Sequence, residues 1–295
     1  MRILVLTTDA FGGRGGIAKY NRDMLTALCS MPGCEEVVAI PRAMPNAPEP
    51  MPQNLTYVTS GLGGKLRYMG AVLGVAMQRF DLVLCGHINL LPLAALARLR
   101  SGTPMALMLH GIDAWQPHRS GLVNRLARRA DVVFPVSRVT ARKFAAWSGV
   151  AESAITILPN AIELEKYGAG YKNSALLAKF GLAGKTVLIT LGRLSKDERY
   201  KGVDEMLEVM PTLLAKRPDL AYLVAGDGDD RPRLEARARE LGLESSVIFA
   251  GYLPEAGKAD YYRLADAYVM PSRGEGFGFV FLEAMACGIP AVAMN

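Results

Sequence analysis

Residues that hold metals and disulfides are scarce. The 295 residues include four cysteines and three histidines, and Cys29, Cys34, Cys85 and Cys287 form no Cys-x-x-Cys pair. This argues against a disulfide framework and against a spaced zinc site. Long apolar runs are missing as well. The stretches "MGAVLGVAM" and "INLLPLAALA" fall well short of the roughly 18 residues that a membrane-spanning helix needs. The start, "MRILVLTTDA", has too short an apolar stretch for a signal peptide, lacks a small-residue cleavage site, and is cut by Asp9. The expected location is the cytoplasm.

What is present is an ordinary globular composition, 51% hydrophobic and 21% charged, with length enough for two cores. Short apolar runs without polar alternation read as buried strands: "RILVLTT", "EVVAI", "DLVLC", "PMALML" and "DVVFPV", then "TVLITL", "AYLVAG", "VIFAG", "AYVMPS" and "PAVAM". Helical patterns such as "IAKYNRDMLTALCSM" and "VTARKFAAW" lie between them. Strands alternating with helices predict parallel sheets covered on both faces. The rhythm breaks near 158–170 and restarts, which predicts an α/β chain of two doubly wound domains facing each other, 1–160 and 161–295. Ligands of such sheets bind where the strands end and the loops gather.

Several of those loops carry chemistry. In "TTDAFGGRGGIAKY", Gly13 to Ala18 formally matches the dinucleotide fingerprint G-x-G-x-x-A. However, about five residues separate Gly13 from the strand, and the acidic residue expected after the second strand is replaced by "IPRA". The glycines better suit a loop that bends close to a ligand ahead of a helix near Ile17; a plain structural turn is the other reading. His110 ends the strand "PMALMLH", which suits a cleft residue or an ordinary structural histidine. Arg193 leaves the first strand of the second series, and Lys201 precedes a helix. Two converging cations there make an anion site, unless they merely pair with Asp197 or Glu198. "AGDGDD", "FAGYLP" and "VMPSRGEGFG" are further loops at strand ends.

The stretch "RGEGFGFVFLEAMACGIP" places Glu275 and Glu283 eight positions apart in an otherwise apolar, glycine-rich run. A carboxylate has no business in a buried helix without a partner, because an unpaired buried charge costs several kcal/mol or neutralises itself (about 2–7 kcal/mol for neutral polar groups, more for ions). The charge is also uneven. Residues 1–160 hold 17 Lys+Arg against 9 Asp+Glu, net +8, and residues 161–295 hold 17 against 19, net −2. A basic first half is either a solvated face or a surface for an anionic partner such as a membrane or a phosphorylated acceptor. The basic residues are not interleaved with aromatics, which argues against nucleic acid.

Together, "GGRGGIAKY", "LMLHGID", "LPNAIE", "LGRL…ERYKG", "AGDGDD" and above all "EGFGFVFLEAMACGIPAV" resemble the retaining nucleotide-sugar glycosyltransferases of family 4. The resemblance runs from Met1 to Asn295. It implies the GT-B fold, with two facing Rossmann-like domains: an acceptor-side domain over 1–160 and a nucleotide-sugar-binding domain over 161–295. It implies that Arg193 and Lys201 hold the donor diphosphate, Glu283 accepts from the ribose hydroxyls, and Glu275 with the amides of Gly276, Phe277 and Gly278 holds the transferred sugar. Gly15 and Gly16 would line the donor phosphates, and His110 would sit against the sugar. The nucleobase would lie near Gly226, Tyr252 and Leu253. The implied reaction moves a sugar from a UDP- or GDP-sugar to a sugar or lipid-linked acceptor, in polysaccharide or glycolipid synthesis. No cofactor or metal is expected, on the reading that the chain offers no Asp-x-Asp motif, which suits Arg193 and Lys201 doing what a divalent metal does elsewhere.

Two features depart from the family pattern. Ala161 stands in "PNAIE" where glycine is usual, a less comfortable residue for a left-handed backbone. The sequence also stops seven residues after Gly288, so the second domain is expected to be incomplete, poorly stable and mobile. Other readings are a nucleotide-sugar-binding protein without turnover, an NAD(P)-dependent oxidoreductase using the "GGRGGIA" loop, and a same-fold epimerase or phosphorylase.

Overall fold

The computed structural model describes residues 1–99 and 102–294. By its internal contacts the chain divides into two compact units, Met1–Asn160 and Ala161–Asn295.

The described residues of unit 1 form six strands: β1 (Arg2–Thr7), β2 (Glu36–Pro41), β3 (Leu55–Tyr57), β4 (Leu82–Cys85), β5 (Met105–Leu109) and β6 (Val132–Pro135). They pair in parallel in the order β3-β2-β1-β4-β5-β6. Helices α1 (Gly16–Ser30), α2 (Lys65–Val75), α3 (Leu91–Leu99) and α4 (Gly121–Ala127) make the crossovers, and α5 (Arg138–Ser148) follows β6. The strands are apolar throughout because both faces are covered. Leu4, Leu6, Ile40, Val83 and Leu107 are buried on one side with Tyr68, Val72, Leu91 and Phe144. The short β3 falls in the polar stretch "QNLTYVT", whose pattern gives no strand signal.

Unit 2 repeats the plan with β7 (Thr186–Leu191), β8 (Leu220–Ala225), β9 (Val247–Gly251), β10 (Ala267–Met270) and β11 (Ala291–Ala293), in the parallel order β11-β10-β7-β8-β9. Its helices are α6 (Ser174–Phe180), α7 (Val203–Lys216), α8 (Arg231–Glu240), α9 (Lys258–Leu264) and α10 (Phe279–Ala286). One face of its sheet buries Val187, Ile189 and Leu223 against Tyr262 and Ala284, and the other buries Tyr222 and Val224 against Leu207, Met210 and Leu234. No described residue other than glycine has positive φ, so Ala161 is not left-handed and the strain considered at "PNAIE" does not arise.

In each unit the strand order reverses once, between β1 and β4 and between β7 and β10. Helices from the two sides part there, so the loops after those strands bound a crevice at the carboxyl edge.

Candidate functional site

In unit 2 the loops at that edge are drawn together by glycine. A Cβ on Gly226 would stand 1.8 Å from the Gly192 carbonyl oxygen, one on Gly228 2.1 Å from that of Leu194, and one on Gly202 2.5 Å from that of Pro271. Only hydrogen fits in these gaps, so the ends of β7 and β8 and the loop after β10 touch backbone to backbone. The Gly226 N–H donates to the Gly251 carbonyl at 2.8 Å, which adds the end of β9.

Arg193 and Lys201 both converge on Glu198. The Arg193 guanidinium donates through Nη2 to one carboxylate oxygen, and Lys201 Nζ lies 2.6 Å from the other. Of the two pairings considered from the sequence, Glu198 is the one formed. Burial pushes the Glu198 carboxyl up, but Lys201 and Arg193 outweigh it and hold the group below the usual carboxylate range. Glu275 is nearby in electrostatic terms. Burial raises its pKa, the Lys201 charge and a Ser272 hydrogen bond oppose that rise, and the Glu198 charge adds to it.

Gly276 and Phe277 lead into α10 in the same loop, and Gly278 caps it with φ 83°. A Cβ on Gly278 would meet the Phe281 ring at 2.6 Å. No side chain caps α10, whose N-terminal end carries the positive pole of its dipole.

Glu283 lies further along α10, with 1% of its surface exposed. Lys258 Nζ lies 2.7 Å from its Oε2, the Tyr262 hydroxyl donates to the same oxygen at 2.7 Å, and Tyr167 is hydrogen-bonded to it as well. The question raised by a carboxylate in an apolar helix is answered by Lys258. Nothing in its own stretch, "PEAGKADYYR", marks that lysine out, because it belongs to no motif and its partner lies on another helix. Of about four lone-pair sites on a carboxylate, three are engaged. Tyr252 is half exposed, whereas Leu253 is buried in the core, so Leu253 offers a ligand its main chain only.

A formal Asp-x-Asp stands at Asp227–Asp229, where sequence reasoning found no metal motif, and its carboxylates are bound within the protein. Asp227 accepts from the Gly228 N–H and faces Arg231, and Asp229 accepts from the Lys196 N–H. Among the described residues no group of three or more His, Cys, Asp or Glu is arranged to hold a metal ion.

In unit 1, Gly15 (φ 94°) and Gly16 are exposed at the start of α1. Arg22 pins the preceding loop by donating to the Ala10 and Gly13 carbonyls, and Asn21 donates to that of Asp9. β1 ends at Thr7, leaving Gly13 the five-residue gap that a dinucleotide turn does not have. His110 lies at the end of β5 with Nε2 2.7 Å from the Gly86 carbonyl, which places the proton on Nε2. Its surroundings were not legible in sequence: His87 stacks at 6.0 Å, Tyr20 meets it edge-on at 5.2 Å, and Asp113 lies 3.9 Å from His87 Nε2. Burial lowers the His87 pKa, with Asp113 opposing.

Two Rossmann-like parallel-sheet units, the second with glycine-tightened loops and paired cations at its strand-order reversal, fit the GT-B class of fold. The family model described as "Glycosyltransferase Family 4" matches residues 14–166, and that of "Glycosyl transferases group 1" matches 175–295. The chain belongs to glycosyltransferase family 4. It is 31% identical over 212 residues to a GDP-mannose-dependent alpha-(1-6)-phosphatidylinositol monomannoside mannosyltransferase of Mycolicibacterium smegmatis, a match covering 68% of this chain and 54% of that protein. The corresponding monoacylated-acceptor enzyme of Corynebacterium glutamicum is 26% identical over 99% of this chain and 80% of its own length. Among solved structures, Anabaena HepE in complex with UDP and glucose superposes with a TM-score of 0.78 at 24% identity, covering 99% of this chain and 80% of that one. Sucrose-phosphate synthase from Thermosynechococcus elongatus does so with 0.80 at 21%, covering 99% and 81%. Family membership removes the oxidoreductase reading of the "GGRGGIA" loop.

Proposed function

We propose that the chain transfers a sugar from a nucleoside diphosphate sugar to an acceptor hydroxyl with retention at the anomeric carbon. The observation that carries this is the pair Arg193 and Lys201 beside Glu275 at the β7–β10 reversal of a family 4 chain. Two cations there suit the diphosphate, and they stabilise it as it leaves. In the reaction the bond from the anomeric carbon to the phosphate oxygen breaks and that to the acceptor oxygen forms on the same face. The acceptor's proton passes to the departing phosphate. The main contribution of the protein is positioning and charge stabilisation.

Glu283 is assigned to the ribose, with one of its present donors giving way if both hydroxyls are to bind. Glu275 and the amides of Gly276, Phe277 and Gly278 are assigned to the transferred sugar, and Gly226, Tyr252 and the main chain of Leu253 to the base. In unit 1, Gly15 and Gly16 are assigned to phosphate and His110 to the sugar. The names of the two mannosyltransferase relatives favour GDP-mannose as donor and a phosphatidylinositol-based acceptor, while HepE was solved with UDP. An anionic lipid acceptor also suits the net +8 of residues 1–160.

The test is nucleotide release from GDP-mannose and from UDP-glucose with a phosphatidylinositol mannoside acceptor, with and without excess EDTA. Acceptor-dependent turnover that survives EDTA is expected, with the α-anomer formed from an α-donor. Nucleotide binding without turnover would replace transfer by a binding role, and activity abolished by EDTA and restored by magnesium would remove the role given to Arg193 and Lys201.

A further inference from the structure

The cations assigned to the diphosphate are not held by that ligand's chemistry alone. The segment Lys196–Lys201 is a 3-10 helix that loses helical geometry at Glu198 (φ −116°, ψ 23°). Its carboxylate lies between Arg193, five residues earlier, and Lys201, three later. The Glu198 side chain is 15% exposed, while that of Arg193 is 66% exposed. The carboxylate is therefore the inner member of the cluster and the guanidinium the outer one.

Only Nη2 of Arg193 and one ammonium contact of Lys201 are spent on Glu198. A guanidinium has five N–H groups and an ammonium three, so most donors of both remain for a second anion. Two cations side by side also repel, and both ride on long side chains that lose rotamer freedom when a ligand fixes them. A partly buried carboxylate that touches both offsets the repulsion and fixes the side chains beforehand, which is how preorganisation raises affinity. The opposing effect is repulsion between Glu198 and the incoming diphosphate; the inner placement of the carboxylate puts the exposed Arg193 guanidinium in the way and weakens it, while Lys201, 20% exposed, sits nearly as deep as Glu198.

We propose that Glu198 is a positioning residue that holds Arg193 and Lys201 from the protein side, so that their remaining N–H groups meet a diphosphate. This rests on the assignment of those two cations to the donor diphosphate. It predicts that removing the charge costs affinity for the diphosphate and not for the base and sugar of the nucleoside.

Calorimetry of the whole chain with UDP and GDP, and ligand-observed NMR with uridine and guanosine, tests this. Glu198→Gln should lose about tenfold in affinity for the preferred diphosphate, within the coupling expected inside one salt-bridge network, with nucleoside binding unchanged. Glu198→Asp, which keeps the charge on a shorter stem, should lose less, and it carries the test by itself if the Gln variant does not fold. In a chain already carrying Arg193→Met and Lys201→Met, Glu198→Gln should have no further effect. Unchanged or tighter diphosphate binding by Glu198→Gln, or an equal loss for the nucleoside, overturns the positioning role alone. Failure of the unaltered chain to bind either diphosphate overturns the underlying site assignment as well.

Discussion

Glu275 lies in the loop that leads into α10 and Glu283 on α10 itself, and their surroundings set them apart. Glu283 is paired inside the protein with Lys258 and Tyr262, whereas burial and the Glu198 charge raise the pKa of Glu275, with Lys201 opposing. Glu283→Gln should therefore have two effects. It leaves Lys258 without its buried partner, a loss of about 3 kcal/mol, read by urea unfolding. It should also weaken bare UDP or GDP by roughly ten- to hundredfold, as for a lost hydrogen bond to a charged group. Adding Lys258→Met should recover part of the stability and none of the affinity, which separates the two effects. Glu275→Gln should leave bare diphosphate affinity nearly unchanged and lower transfer, since its assigned partner is the sugar that the diphosphate lacks. Calorimetry in which both variants lose nucleotide affinity equally, or neither does, would make the pair structural.

At the scale of elements, the carboxyl edge of the second sheet depends on backbone contact between loops. The closest is Gly226 against the Gly192 carbonyl, directly before Arg193. At φ 140° a side chain at Gly226 is strained as well as blocked. Gly226→Ala should cost about 2–4 kcal/mol from strain and overpacking together, and it should weaken nucleoside diphosphate binding because Gly192 must move. Gly184 supplies the control: it has positive φ but nothing within 4 Å of a Cβ, so Gly184→Ala should cost about 1 kcal/mol. Equal losses in urea unfolding would show that close approach is not what the Gly226 position requires.

At the scale of the whole molecule, residues 1–160 carry both an excess of positive charge and an exposed apolar stripe. On α2 and the turn after it, Leu66, Met69, Leu73 and Met77 recur at helical spacing and are exposed, Leu66 by 78%, with Lys65 and Arg67 alongside. Among the described residues no helix is long and apolar enough to cross a membrane. An amphipathic helix with basic flanks instead lies in the plane of an anionic surface. The expectation is co-sedimentation with phosphatidylinositol-containing vesicles at low salt, lost on adding salt and reduced by Leu66→Ser with Leu73→Ser. Equal sedimentation with neutral vesicles would sink the electrostatic part of this reading, and full retention by the double variant would sink the role of α2.

The parallel sheets were legible in the sequence because a strand covered on both faces must be apolar at every position, and "RILVLT" and "TVLITL" declare that locally. The short β3 was not, since "LTY" is too brief to show a period and is held by its pairing with β2. The family motif was legible for a related reason: glycines, Arg193, Lys201 and the two glutamates lie at fixed spacings along single loops and helices. What answers each charge was decided only by tertiary structure. Glu283 meets Lys258 from 25 positions earlier, and His110 meets His87 and Tyr20 from other strands and helices. Even the local choice between Asp197 and Glu198 for Arg193 and Lys201 was settled only in the folded loop, where Glu198 meets both. Sequence spacing fixes which residues share a loop or a helix face. Which charge stands next to which is set by the strand order that folds those loops to one edge of a sheet.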